Sequence, residues 1–166
     1  MQKSALNEIF ELYVRYTPYE AIVYGAKAKI GRLSKDAMAI LQCKNSEIYV
    51  TTRCLKHIYD KRPAEEFDFI MAHLQDILER PHAIYLNKDR KRGNFCFEGQ
   101  TNGRMYLAAV EVTICEDGTD EPQIATAFRI RDDQYLKNYE LLWGWRDGAP
   151  HRHTAFPNER ANDAPQ

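Results

Sequence analysis

Apolar residues in the first half of the chain recur at helical spacing, and those in the second half recur at strand spacing. Leu6, Ile9, Phe10 and Tyr13 follow an i, i+3, i+4, i+7 pattern behind Ser4, which predicts a capped helix that ends at Pro18. Ala21 to Tyr24 reads as a strand, followed by Gly25 and a basic turn through Lys27 and Lys29. Ser34 opens a short helix with Ala37, Met38, Ile40 and Leu41, and Glu47 to Val50 reads as a short β segment. Thr51 or Thr52 caps a helix to about Arg62. A further helix over residues 64–79 carries the clearest stripe, Phe67, Ile70, Met71, Leu74, Ile77 and Leu78, and stops at Pro81.

From there the period switches to two. His82 to Asn87, Asn94 to Glu98, Arg104 to Ile114 and Gln123 to Arg131 read as strands, joined by turns at Lys91 to Gly93, Gly99 to Gly103 and Glu116 to Glu121. Short connections imply antiparallel neighbours. The expected class is therefore α+β, with N-terminal helices packed on a four- to five-stranded antiparallel meander. One domain is expected over residues 1–145. Residues 146–166 are polar, hold Pro150 and Pro157, show no period and read as a flexible C-terminal tail.

Composition narrows the function classes. At 166 residues the chain is long enough for one unstapled core. A formal net charge of −1 excludes a polycation, so any nucleic-acid site must come from local clustering of charge. Cys43, Cys54, Cys96 and Cys115 form no C-x-x-C pair and read as reduced thiols, with no metal site and no cofactor expected. The N-terminus lacks a basic-then-apolar leader layout, and no stretch approaches the roughly 18 uncharged residues of a membrane span. A cytoplasmic location away from membranes is expected.

Three clusters carry candidate chemistry. On the helix from Thr52 to Arg62, Leu55, Ile58 and Tyr59 point one way, while Arg53, His57, Asp60 and Lys61 share the other face. A histidine among cations and one carboxylate suits acid–base work near neutral pH, and equally a solvated helix face. Lys88, Arg90, Lys91 and Arg92 are interleaved with Tyr85, Phe95 and Phe97, which suits phosphate neutralisation and base stacking or a soluble hairpin turn. In the last strand Ile124, Thr126, Phe128 and Ile130 alternate with Ala125, Ala127, Arg129 and Arg131. An arginine pair over an alanine floor leaves room for an anion. Alternation places Thr126 and Arg129 on opposite faces unless a bulge intervenes. Tyr135, Tyr139, Trp143 and Trp145 read as a core-covering closure, and the phosphate-loop, dinucleotide, zinc-protease and hydrolase-elbow signatures are absent.

The run Lys29 to Leu33, a short helix, Ile48 to Thr51 and Leu55 to Ile58 resembles the phage-associated members of the barnase–EndoU–colicin–RelE nuclease superfamily. Ile77 to Pro81, Ala83 to Leu86 and a meander closing on Ala125 to Phe128 extend the likeness over roughly residues 29 to 131. The resemblance implies metal-independent cleavage of RNA, tRNA among the targets, by attack of the ribose 2′-hydroxyl on the adjacent phosphate. It implies His57 as the acid–base group, Lys88 and Arg129 as transition-state cations, and Thr126 as a hydrogen-bond donor to phosphate. Arg53, Lys61, Arg62, Arg90, Lys91, Arg92 and Arg131 are the residues expected to hold RNA, and an inhibitor or immunity protein is an expected partner. Where related sequences carry a second histidine, this one reads Asp60-Lys61-Arg62-Pro63. That departure keeps a non-catalytic RNA- or protein-binding member of the same fold open as the alternative, beside a scaffold whose Trp143/Trp145 end docks a partner.

Overall fold

Three helices start where a hydroxyl is available to cap them. Ser4 Oγ accepts from the Asn7 amide at 3.2 Å, Ser34 Oγ from Ala37 at 3.1 Å and Thr51 Oγ1 from Cys54 at 3.1 Å. These caps open α1 (Ala5–Ile9), α2 (Lys35–Leu41) and α3 (Thr52–Lys61). Pro63 leads instead into α4 (Ala64–Glu79), where Glu65 and Glu66 in the first turn suit the positive end of the helix dipole. The computed structural model describes residues 4–88, 93–132, 134–146 and 149–152, with the backbone alone for 145–146 and 149–152.

Two expectations for the N-terminal stretch are corrected. α1 does not run to Pro18. It widens into a π-helical turn, Phe10–Val14, and leaves the helix at Arg15. That wider turn delivers Val14, fully buried, to the core. Residues 21–24 form no strand. Ile22 and Tyr24 are exposed, so a strand there would bury nothing, and the Thr52 hydroxyl ties this backbone by donating to Tyr24 O at 2.6 Å. The first strand is instead β1 (Lys27–Arg32), the segment read as a basic turn, in which Ala28 and Ile30 are buried between exposed lysines.

The remaining strands are β2 (Glu47–Thr51), β3 (Ala83–Leu86), β4 (Phe95–Thr101), β5 (Arg104–Ile114), β6 (Asp120–Ile130), β7 (Leu141–Arg146) and β8 (Ala149–Arg152). They make one sheet in the order β1-β2-β6-β5-β4-β3-β7-β8. The α+β class stands, and the four- to five-stranded antiparallel meander is corrected to eight strands in a mixed sheet. β3 to β6 are the expected meander, while β2 joins it by a parallel contact at Tyr49 and Gln123. β7 and β8 extend the other edge. The β8 pairing lies inside the stretch read as a tail, and residues 153–166 lie outside the described residues.

The helices cover one face. Phe67, Ile70, Leu74, Ile77 and Leu78 of α4 meet Ile48, Val50, Phe97, Tyr106, Ala108 and Val110 from the sheet. A Cβ on Gly99 would come within 2.5 Å of Ile77 Cγ1, so glycine is what lets α4 lie this close to β4. On the opposite face Cys96, Leu107 and Ile130 are covered by Tyr85, Met105, Phe128, Leu136 and Tyr139. The chain after β6 thus covers part of that face, as the aromatics at 135 and 139 suggested, and among the described residues the part around β2, β5 and β6 is left open.

Candidate active site

The open half is shaped by one extra residue in β6. β5 pairs Ala109 with Thr126 and Val110 with Ile124, so Ala125 has no partner and forms a β-bulge. The bulge turns Ile124 toward the helices, against the alternation expected for that strand, and leaves Thr126 on the helix-free face. It lies upstream of both Thr126 and Arg129, which therefore remain on opposite faces. β2 and β6 share one paired position and then separate, and α3 packs along the edge of β6 that this exposes. Arg62, just past α3, serves this edge: its Nε donates to Ala127 O at 3.0 Å and its Nη2 to Thr126 Oγ1 at 3.3 Å.

The wedge between α3 and the bulged strands is a cleft of about 470 Å³. Arg53 and His57, one turn apart on α3, form one wall, and Glu111 of β5 with Gln123 and Ala125 of β6 form the other. His57, Glu111 and Gln123 are half-buried and Arg53 is exposed. Cys54 also lines the cleft, but burial, reinforced by the nearby Glu111 carboxylate, pushes its thiol up to about 12. It stays a neutral thiol at neutral pH and is no nucleophile. Beside the cleft, Glu121 accepts from Lys27 at 2.5 Å and from Gln123 at 2.6 Å. Burial opposes ionisation of Glu121, and these two hydrogen bonds outweigh it, lowering its pKa.

Two larger depressions, about 500 Å³ between α1, α4 and β1 and about 530 Å³ among the helices, are lined by no histidine. Among the described residues no group of three or more His, Cys, Asp or Glu side chains is placed to hold a metal ion. No helix among them is long and apolar enough to cross a membrane.

The expected site residues divide. His57 and Arg53 share the cleft, and Thr126 and Arg62 line a pocket next to it on the same face. Lys88 is exposed beyond β3 and lines neither. Arg129 faces the helices, in register with Tyr106, and Arg131 lies 2.7 Å from the buried Glu66 of α4, because residues 127, 129 and 131 share the covered side of β6. Lys61 turns to Tyr19 and Glu20, at 2.5 and 3.4 Å. His57, Lys88 and Arg129 therefore do not line one cleft. Asp60 forms a buried ion pair with Lys56 at 2.7 Å. Arg90, Lys91 and Arg92 lie outside the described residues.

Glu111 and Gln123 are the cleft residues that pattern reading passed over. The signal was present: Glu111 is the lone carboxylate of β5 and stands between Val110 and Val112. Comparison with protein-family models, with curated proteins and with solved structures finds no match.

Proposed function

We propose that this chain is a metal-independent ribonuclease, of the kind its sequence resembles, acting in the cleft between α3 and the β5–β6 bulge. What carries the reading is that an imidazole, a carboxylate and a guanidinium, His57, Glu111 and Arg53, line one cleft. Such a set has a role for each group at neutral pH. The Glu111 carboxylate takes the proton from the ribose 2′-hydroxyl, whose oxygen bonds to phosphorus as the bond from phosphorus to the 5′-oxygen breaks. The His57 imidazolium gives its proton to that departing oxygen. Arg53 offers a forked cation to the crowded phosphate. Glu111 takes the position the missing second histidine left open, and Arg53 replaces Lys88 and Arg129 as the cation of this reading.

Labelled RNA incubated with purified protein in excess EDTA tests it. Wild type is expected to leave 2′,3′-cyclic phosphate ends, with His57→Ala slower by about 10²- to 10⁴-fold, the usual worth of a positioned acid–base group. Intact RNA, or equal cleavage by the variant, would refute the reading. Retarded mobility in a gel shift with steep salt dependence and no product would make the chain the non-catalytic RNA-binding alternative.

A further inference from the structure

Next to the cleft, on the same face, lies a second and smaller cavity of about 230 Å³. We infer that it is a nucleobase subsite, receiving one base flipped out of a single-stranded RNA whose phosphate lies in the cleft. The inference rests on the ribonuclease reading for its substrate, and on the cavity's own construction for the base.

The floor is low because Ala109 and Thr126, small and paired across β5 and β6, stand where larger residues would fill the face. The wall is aromatic. Tyr135 packs against Tyr139 with ring centroids 5.7 Å apart and meets Phe128 edge-on at 5.8 Å. Tyr135 remains 43% exposed, so one ring surface of this cluster is open to a ligand. Across from it the Arg62 guanidinium lies over Phe128, 5.4 Å from the ring centroid, fixed by its bonds to Ala127 and Thr126. Aromatic rings, a guanidinium and the polar side chains of Thr126 and Asn87 all line the cavity, which suits a flat ring with a hydrogen-bonding edge. The volume falls below that of ordinary drug-sized ligand sites and matches a single ring system.

The bulge links the two sites. Ala125 lines the cleft and the next residue, Thr126, lines the cavity. On β5, Glu111 and Ala109 are two residues apart, about 7 Å along a strand, which is within one nucleotide's reach. A base stacked in a duplex cannot enter, so the substrate class is unpaired RNA: loops, bulges or ends.

The test uses His57→Ala protein, which binds without turnover, titrated by NMR with each of the four ribonucleoside 3′-monophosphates and with ribose 5-phosphate as a base-free control. At least one nucleotide is expected to shift the resonances of Thr126, Phe128 and Tyr135, and the control is not. Adding Tyr135→Ala, at a half-exposed position that folding tolerates, is expected to weaken binding about tenfold. Ala109→Leu, which fills the floor, is expected to abolish it. No shift with any nucleotide, or unchanged affinity in both variants, overturns the subsite. Wild-type cleavage of an unpaired RNA is followed in parallel. Intact RNA with base binding retained would sink the ribonuclease reading and leave the subsite standing. Cleavage with an unaltered KM in Tyr135→Ala would do the reverse.

Discussion

Asp60 distinguishes the two ways of reading α3, because the sequence places it beside His57 and the fold gives it other work. Its carboxylate is 2.7 Å from Lys56 Nζ, with both side chains about 6–7% exposed, and it accepts the Glu20 amide at 3.0 Å. Lys56 also donates to Pro18 O at 2.6 Å, so the pair fastens residues 17–20 to α3. At an effective dielectric near 20, charges this close attract by about 6 kcal/mol, most of it offset by their desolvation. Asp60→Ala leaves the Lys56 ammonium buried against carbonyls alone, and the expected loss is about 3–5 kcal/mol. With a urea m-value near 2 kcal/mol/M, the midpoint should fall by roughly 2 M. Adding Lys56→Met removes the stranded charge, so the double variant should recover part of the loss, with a coupling of about 2 kcal/mol. RNA cleavage measured well below the unfolding midpoint should remain within about threefold of wild type. A loss under about 1 kcal/mol, or cleavage lost with stability unchanged, would refute the reasoning and return Asp60 to the site.

Gly99→Ala should destabilise by about 1–3 kcal/mol in urea unfolding, since its Cβ would overlap Ile77; an unchanged midpoint would contradict the close α4–β4 contact. Burial pushes the thiols of Cys54 and Cys96 up to about 12, and that of Cys43, with Asp120 nearby, up to about 11. At pH 8 a disulfide reagent should therefore label Cys115 alone quickly in the folded protein, and two or more fast thiols would overturn this. Glu47, hydrogen-bonded by Tyr49 and Lys29, Asp117, hydrogen-bonded by Thr119, and Glu121 all have lowered pKa values. Their stabilisation is complete above the unfolded carboxyl range near pH 4 and is lost as pH falls through the folded values. Urea midpoints should hold above about pH 5 and drop from pH 4 to 3; a midpoint rising over that interval would reverse the assignment.

Local signals were legible wherever one residue decided the outcome. The caps at Ser4, Ser34 and Thr51 and the stripe of α4 needed no partner to be recognised. β5 was readable from end to end because it is one long apolar and β-branched run between two turns. Contacts between distant segments were not legible. The parallel contact of Tyr49 with Gln123 joins residues more than seventy positions apart and leaves no local trace. The same limit hid the site. The bulge at Ala125 is set by pairing with β5, and it decides that Ile124 and Thr126 face opposite ways. Arg131 and Lys61 look like ligand cations in the sequence, while Glu66 and Tyr19 with Glu20 claim them in the fold. Period-two reading of β5 would have placed Glu111 opposite the face of Val110, but not beside His57, because α3 reaches that edge only through the parting of β2 from β6.

The central claim is that His57 acts with Glu111 in the cleft, which Lys88 does not line. Its most direct test is the rate of RNA cleavage in EDTA by Glu111→Gln beside Lys88→Gln, both confirmed as folded. Glu111→Gln is expected to lose at least about a hundredfold in kcat, while Lys88→Gln stays within about threefold of wild type. Full activity in Glu111→Gln together with a large loss in Lys88→Gln would contradict the claim.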